Sequence, residues 1–390
     1  MSAPGNTPLS TTELIISSNS TGDQFVSDAG AIVMSVLINV IAMLGIVGNS
    51  IVIFAVIASR KLRTVTNVFV IALGITDLLV CLTLPFQTVA LTSTDGWPLV
   101  DWLCAAIGGI TSVCFGASVL LLVLIAVNRF CVITRPRQTC QRFYKARNLA
   151  LMVSFAYLYP LAMFAILPAI GIGQLGYSRP YRICKWDDEH PKSEVNDYIV
   201  AWTFGVSFIV IMACYAHIYV FVRRHHSNMT SLGEGGKSQQ TTVKDNSTST
   251  TTGEVASIHC DVRESNLRCY RISKGRKISD MKTAATNREV EITRNMFIVI
   301  CSFFVCFAPS CISLLLPTGQ SFSIFTSIFL MSNICINPII YSFKHPLFKV
   351  VIRCMICCRY SDIPKPSPTL KKLLAMQHQR KHEKVVISRV

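Results

Sequence analysis

Charged side chains are scarce in this chain, making up 15% of its 390 residues against about a quarter in ordinary soluble domains. Acidic groups are scarcer than basic ones, with 21 Asp and Glu beside 37 Lys and Arg. No Lys or Arg precedes Arg60. Catalytic signatures are missing as well. The eight His are scattered, and no HExxH, GxSxG or paired CxxC pattern occurs, which argues against a hydrolase or a metalloenzyme. Internal repeats and helices broken near a bilayer midplane, the marks of a transporter, are also lacking. Residues 1–30 have neither the basic start nor the apolar core of a signal peptide. They are expected to form a disordered extracellular tail, leaving the first helix to drive insertion.

What the chain does have is apolar sequence. Hydrophobic residues make up 51% of it, and the mean hydropathy is +0.47. Seven long apolar stretches lie near 31–59, 67–91, 103–134, 149–171, 198–222, 293–316 and 321–343. Each is long enough to cross a bilayer, which takes about 20 residues. The expected fold is all-α: a seven-transmembrane helix bundle over 31–343, followed by an amphipathic membrane-surface helix over 344–358 and a tail over 359–390. In that last helix Phe348, Val351, Ile352, Met355 and Ile356 follow a helical repeat.

Basic residues set the orientation. Arg60, Lys61 and Arg63 share the first loop, and Arg135, Arg137, Arg142, Lys145 and Arg147 the third. Only Arg179, Arg182, Lys185 and Lys192 fall on the other side. Positive loops stay cytosolic, so the amino terminus is expected outside and the carboxyl terminus inside. The net charge of +16 then marks an inner face near anionic lipid, with no nucleic-acid partner implied. Localisation at the plasma membrane follows as an expectation.

The loops and tails carry further expectations. Cys104 and Cys184 lie at the oxidising outer boundary, and a disulfide between them would fold the fourth loop over the bundle as a lid. Asn19 is an outer glycosylation sequon, while those at Asn228 and Asn246 would be cytosolic and silent. Residues 225–286 are rich in Ser, Thr and Gly and are expected to be a disordered cytoplasmic loop. The basic strings before Ser273 and Ser279 are candidate kinase sites. Cys357 and Cys358 are candidate palmitoylation sites, and Ser388-Arg389-Val390 fits a PDZ-domain ligand.

Most of the apolar stretches also hold a polar residue or a proline. Asn49, Asp77, Ser118, Arg129 and Pro309 are the clearest, with Asn333, Asn337, Pro338 and Tyr341 together in the last. Polar groups in hydrocarbon cost a few kcal/mol and persist mostly where they face a bundle interior. The ordered set Gly48-Asn49, Leu73, Asp77, Cys104, Asn128-Arg129-Phe130, Tyr215, Cys306-Phe307-Ala308-Pro309 and Asn337-Pro338-Ile339-Ile340-Tyr341 resembles the rhodopsin-like (class A) G-protein-coupled receptors. The likeness covers 32–358. Asn-Arg-Phe, with Gln174-Leu175-Gly176-Tyr177-Ser178-Arg179-Pro180 before Cys184, is similar to the melatonin-receptor branch and its relatives. Those include the moody and trapped-in-endoderm receptors and a medium-chain fatty-acid receptor.

The resemblance implies a receptor, not an enzyme. Its partners would be a heterotrimeric G protein, arrestin and receptor kinases, and it would need no cofactor beyond an allosteric Na⁺. Asp77, Ser118, Asn333 and Asn337 are hard oxygen donors at similar depth, a set suited to that ion with Asp77 as the charged ligand. A hydrogen-bonded polar core without an ion is the alternative. Arg129 is expected to pair with Glu289, and Pro309 to kink the sixth helix so that its inner end can swing outward. Asn128 stands where the family usually has Asp, which predicts raised basal signalling. Phe307 replaces the usual Trp, Ser207 the usual Pro, and the fourth helix offers Tyr157 or Tyr159 for its Trp.

For the ligand, the position of the amine-receptor Asp is Thr111, and no carboxylate is expected in the upper bundle, which argues against an amine. The expected pocket wall is Thr111 with Ser112 nearby, Phe115, Thr203, Phe307, Ser310, Cys311, Leu314 and Ser327. It suits a neutral or lipid-like small molecule. Arg179 and Arg182 could offer a carboxylate clamp from the lid, or be surface charges facing Asp187, Asp188 and Glu189.

Overall fold

The computed structural model describes residues 28–187, 190–235, 258–261, 268–271, 274–315 and 320–387, with side chains described there except at 193, 225–289, 296, 314–325, 378 and 380–390. Helices dominate: α1 (Asp28–Ala58), α2 (Val65–Thr92), α3 (Asp101–Thr134), α4 (Arg137–Phe143), α5 (Ala146–Ala169), α6 (Ser193–Gly235), α7 (Lys274–Leu315), α8 (Gln320–Lys344), α9 (Pro346–Ile356) and α10 (Pro368–Ile387). Among the described residues seven are long and apolar enough to span a bilayer, namely α1, α2, α3, α5, α6, α7 and α8. A chain in lipid must satisfy its backbone polar groups internally, and a helix does so residue by residue.

Each spanning helix divides its surface between lipid and bundle. On α1 the buried residues are Ala31, Ser35, Ile38, Ala42, Gly45, Asn49, Val52 and Val56, a repeat of three and four that makes one stripe. Ile32, Val36, Val40, Met43, Leu44 and Val47 stay exposed for acyl chains. Helices in lipid hold together by close packing more than by the hydrophobic effect, and small residues permit it. A methyl on Gly45 would fall 2.5 Å from Cys81 Sγ, and one on Gly48 2.7 Å from Pro338 Cγ. Asn49 fastens the same corner by donating its amide to the Ile334 carbonyl at 3.1 Å.

Prolines sit inside α2 (Pro85), α5 (Pro160 and Pro168), α7 (Pro309) and α8 (Pro338). Each removes a backbone hydrogen bond, the loss that lets a helix kink. Pro160 also seats α5 against α3, since a methyl on Gly116 would lie 2.8 Å from its Cβ.

At the end of the bundle that the distribution of basic residues marks as outer, β1 (Leu175–Ser178) pairs antiparallel with β2 (Ile183–Trp186). The Cys104–Cys184 disulfide ties this hairpin to α3. Gln87 of α2 secures it twice, donating Nε2 to the Cys184 carbonyl at 2.7 Å and accepting the Cys184 amide at 2.9 Å. At the opposite end, inner by the same reading, α9 follows α8 directly and buries Phe348, Val351 and Ile352.

Among the described residues of the third inner loop, α6 runs on to Gly235, α7 begins at Lys274, and β3 (Ile258–Asp261) pairs with β4 (Arg268–Arg271). Continuing a helix adds one hydrogen bond per residue without a new nucleus, so α6 and α7 extend past the bilayer. The segment after α9 returns to the loop between α1 and α2. Arg60 donates its amide to the Lys365 carbonyl at 2.9 Å, Ser367 donates to the Ala58 carbonyl at 2.8 Å, and Ser59 Oγ donates to the Pro364 carbonyl at 2.6 Å. Ile363, 2% exposed, packs into the inner core.

Candidate functional site

A chamber of about 500 Å³ opens beneath the lid among α3, α5, α6, α7 and α8. Phe115, Val119, Pro160, Met163, Phe164 and Phe204 give it apolar walls. Ser112, Thr203, Ser310, Cys311 and Ser327 add small polar groups. The hydroxyls of Tyr159 and Thr203 are 3.3 Å apart. From the lid come Tyr181, Ile183, Lys185 and Trp186, and from the outer end of α6 Asn196 and Asp197. The Lys185 ammonium lies 3.9 Å from the centre of the Tyr181 ring, a cation–π contact. Behind β1, burial raises the Tyr177 phenol above its ordinary pKa, and its hydroxyl donates to the Ala90 carbonyl at 3.4 Å.

Phe307 forms the floor. Its ring stacks on Phe303 at 4.3 Å and on Phe204 at 5.5 Å, and meets Phe115 edge-on at 5.7 Å. Such pairs contribute about 0.5–1.5 kcal/mol each beyond burial. Phe304 joins through Phe208 at 4.6 Å. The chamber thus rests on a phenylalanine block shared by α3, α6 and α7, just inside Pro309.

Deeper lies a polar core. Asp77 is buried and accepts the Asn337 amide at 3.2 Å. Thr76 and Ser118 share a hydrogen bond of 3.2 Å between α2 and α3. The amide oxygens of Asn333 and Asn337 are buried with no hydrogen-bond partner among the described residues. A buried carboxylate bonded to Asn337, with orphaned amide oxygens on α8, has the oxygen chemistry that a hard cation such as Na⁺ takes.

At the inner end the Thr66 hydroxyl donates to Asn128 Oδ1 at 2.5 Å and accepts Arg129 Nη2 at 2.6 Å. This binds α2 to α3 through adjacent residues of α3. Tyr144, which follows α4, lies beside Asn128, and burial pushes its phenol up to about 12. The Tyr215 and Tyr341 hydroxyls are buried without hydrogen-bond partners among the described residues. Tyr215 meets Phe297 of α7 at 4.9 Å, and Tyr341 stacks on Phe348 of α9 at 5.7 Å. Phe130 faces His217 at 6.0 Å. The site is therefore a column: chamber, aromatic block, polar core, inner latch.

The profile of the 7 transmembrane receptor (rhodopsin family) matches residues 48–341. The chain belongs to that family. Among relatives, the G-protein coupled receptor moody of Drosophila melanogaster is 27% identical over 368 residues, covering 86% of this chain and 52% of the relative. Melanopsin of Podarcis siculus is 24% identical, covering 82% of this chain and 60% of the relative. Melatonin receptor type 1B-B of Danio rerio is 33% identical over 193 residues, 49% of this chain and 54% of the relative. The chain spans about half the length of the moody relatives. Squid rhodopsin superposes with a TM-score of 0.67 at 19% identity, covering 89% of this chain and 91% of that one, a likeness of fold. A rhodopsin-family chain with seven spans is a multi-pass membrane protein and a receptor by family.

This family member departs from the sequence reading at several points. Thr111 does not line the chamber, because its hydroxyl is held by Thr83 at 3.1 Å and by the Ile107 carbonyl at 2.8 Å. Arg182 is not among the residues that line the chamber, and its guanidinium pairs with Asp28 at 2.9 Å; Asp188 and Glu189 lie outside the described residues. The upper bundle is not free of carboxylate, because Asp197 lines the chamber from the first turns of α6. Arg129 finds Thr66. Glu289 lies in α7 but its side chain is outside the described residues, as are the side chains of Leu314, Asn228 and Ser279. Asn19, Asn246, Ser273, Ser388, Arg389 and Val390 are outside them altogether. Cys357 and Cys358 are exposed just past α9. The reading missed Thr66, Tyr144, Lys185 and Asp197. A hydroxyl in the first turn of α2 and an acid just before the fifth apolar run were the available signals.

Proposed function

We propose that the chain is a G-protein-coupled receptor in the plasma membrane, amino terminus outside, for a neutral or lipid-like small molecule. The observation that carries this is the chamber's floor: Phe307 lies on the same helix as the Phe297 contact to Tyr215, so a ligand pressing on the floor acts on a lever that ends at the inner face. Outward movement of the inner half of α7 about Pro309 would open a cleft for the heterotrimer. The mostly apolar walls favour a neutral or lipid-like ligand. Lys185 and Asp197 at the rim can orient a polar end group without demanding net charge.

Na⁺ is the ion proposed for the polar core, held by Asp77 with Ser118, Asn333 and Asn337. It would supply a positive charge that keeps α2, α3 and α8 together, and its loss would release them. Arrestin, receptor kinases and a PDZ-domain protein are further proposed partners. Asn19 glycosylation and acylation at Cys357 and Cys358 are proposed modifications.

The test is nucleotide exchange on purified heterotrimers, with a panel of lipids and indoleamines and with Arg129→Ala as control. Ligand-dependent exchange lost in Arg129→Ala supports the reading. No exchange with any G-protein class, in a folded receptor, would end it. A second reading, a receptor with mainly constitutive activity, has one observation in favour: Asn128 puts a neutral amide where an ionic hold on Arg129 is usual.

A further inference from the structure

At the inner end of α3, beyond the latch, Cys131 and Cys140 have their sulfurs 2.6 Å apart. Heavy atoms that merely touch stand about 3.5–4.0 Å apart, so the two sulfurs lie within bonding reach of each other. Cys140 Sγ also donates to the Cys131 carbonyl at 3.0 Å, which fixes its direction. Both are half-buried. Cys131 packs against the inner core, while Cys140 sits on α4, a helix with no buried residue. Arg135 lies within electrostatic reach of Cys131, and Arg137 and Arg142 share α4 with Cys140.

We propose that Cys131 and Cys140 form a dithiol oxidation site whose substrate is a hydroperoxide. Cys140 gives its proton to solvent and the sulfur attacks the peroxide: an S–O bond forms, the O–O bond breaks, and the hydroxide that leaves takes up a proton from solvent as water. The Cys131 sulfur then attacks Cys140, forming the S–S bond as the S–O bond breaks, and the second oxygen departs as water with the Cys131 proton. Two thiols lose two electrons and two protons, and one hydrogen peroxide becomes two waters. A thiol reductant reverses the change. In a reducing compartment such a bond is transient, which suits sensing and not structure.

The consequence follows from position. Arg129 is two residues before Cys131, and Tyr144, beside Asn128, follows α4 directly. A bond between Cys131 and Cys140 pins α4 to α3 at the latch and holds the inner face in this arrangement. This consequence rests on the receptor reading, whereas the chemical step rests on the sulfur geometry.

The experiment titrates full-length receptor in lipid nanodiscs with hydrogen peroxide, follows it by peptide mass spectrometry, and measures nucleotide exchange on added heterotrimer. Expected is a reductant-reversible Cys131–Cys140 linked peptide that is absent in Cys140→Ser and Cys140→Ala. Exchange should fall roughly fivefold on oxidation, the lower end of typical coupling between sites, in the native protein but in neither variant. Oxidation of the exposed Cys357 and Cys358 without a Cys131–Cys140 link would overturn the site. A link that leaves exchange unchanged would overturn the restraint. Absence of exchange even in the reduced protein would count against the receptor reading, and link formation would still decide the chemistry.

Discussion

Arg129 of α3 donates its guanidinium to the Thr66 hydroxyl of α2 at 2.6 Å, and the same hydroxyl donates to Asn128 at 2.5 Å. One side chain therefore serves both members of the Asn-Arg pair and does, as a neutral group, what an adjacent carboxylate would do by charge. A hydrogen bond to a charged group contributes about 1.5–3 kcal/mol.

Thr66→Val keeps the shape and deletes both bonds. Ligand-free nucleotide exchange should rise roughly fivefold, since a shift of about 1 kcal/mol in a two-state equilibrium has that effect. Asn128→Asp should do the opposite by holding Arg129 ionically. Basal exchange that ignores both substitutions, in variants that melt like the native protein, would remove the latch from the account.

The polar core makes a salt-specific prediction. Replacing choline chloride by sodium chloride at constant ionic strength should raise the melting temperature and lower basal exchange in the native protein. Asp77→Asn should abolish both responses, because four neutral donors hold Na⁺ far less well than three with a carboxylate. A sodium effect that survives Asp77→Asn places the ion elsewhere.

Packing at the α1 corner is tight enough to test by a single carbon. Gly45→Ala puts its methyl 2.5 Å from Cys81 Sγ and 2.8 Å from Ile334 Cγ2, so α1 or these side chains must shift. The cost should be about 1–3 kcal/mol, read as a melting temperature lower by several degrees. Gly176→Ala on the lid, where nothing lies within 4 Å, should leave it unchanged.

The docked tail should respond to one buried side chain. Ile363→Asp places a charge among apolar atoms and should release the segment from the first inner loop. Amide hydrogen exchange at Arg60 and Ser367, both hydrogen-bonded across that contact, should then quicken by orders of magnitude relative to α9. Unchanged protection at those two amides would mean that the backbone pairing holds without Ile363.

Much of this column was legible in the linear chain, for a reason tied to solvent. Asn49, Asp77, Asn333, Asn337 and Pro338 stand out because hydrocarbon makes any polar group or missing hydrogen bond conspicuous in an apolar run. Cys104 and Cys184 stand out because few cysteines lie at the outer boundary. Where polar residues are ordinary the same logic loses its contrast. Thr66 sits at a helix start, where threonine is common, and Asp197 and Lys185 lie where charge is expected. Their roles depend on which way a helix faces or a hairpin folds.

The sequence by itself determined that the protein lives in a bilayer as seven helices with a polar axis, because hydrophobic length and the cost of buried polarity are local properties. Tertiary structure alone decided that Arg129 meets Thr66, that Thr111 turns to Thr83 and away from the chamber, and that Arg182 reaches Asp28. Those are choices between partners distant in the chain, set by helix rotation and crossing.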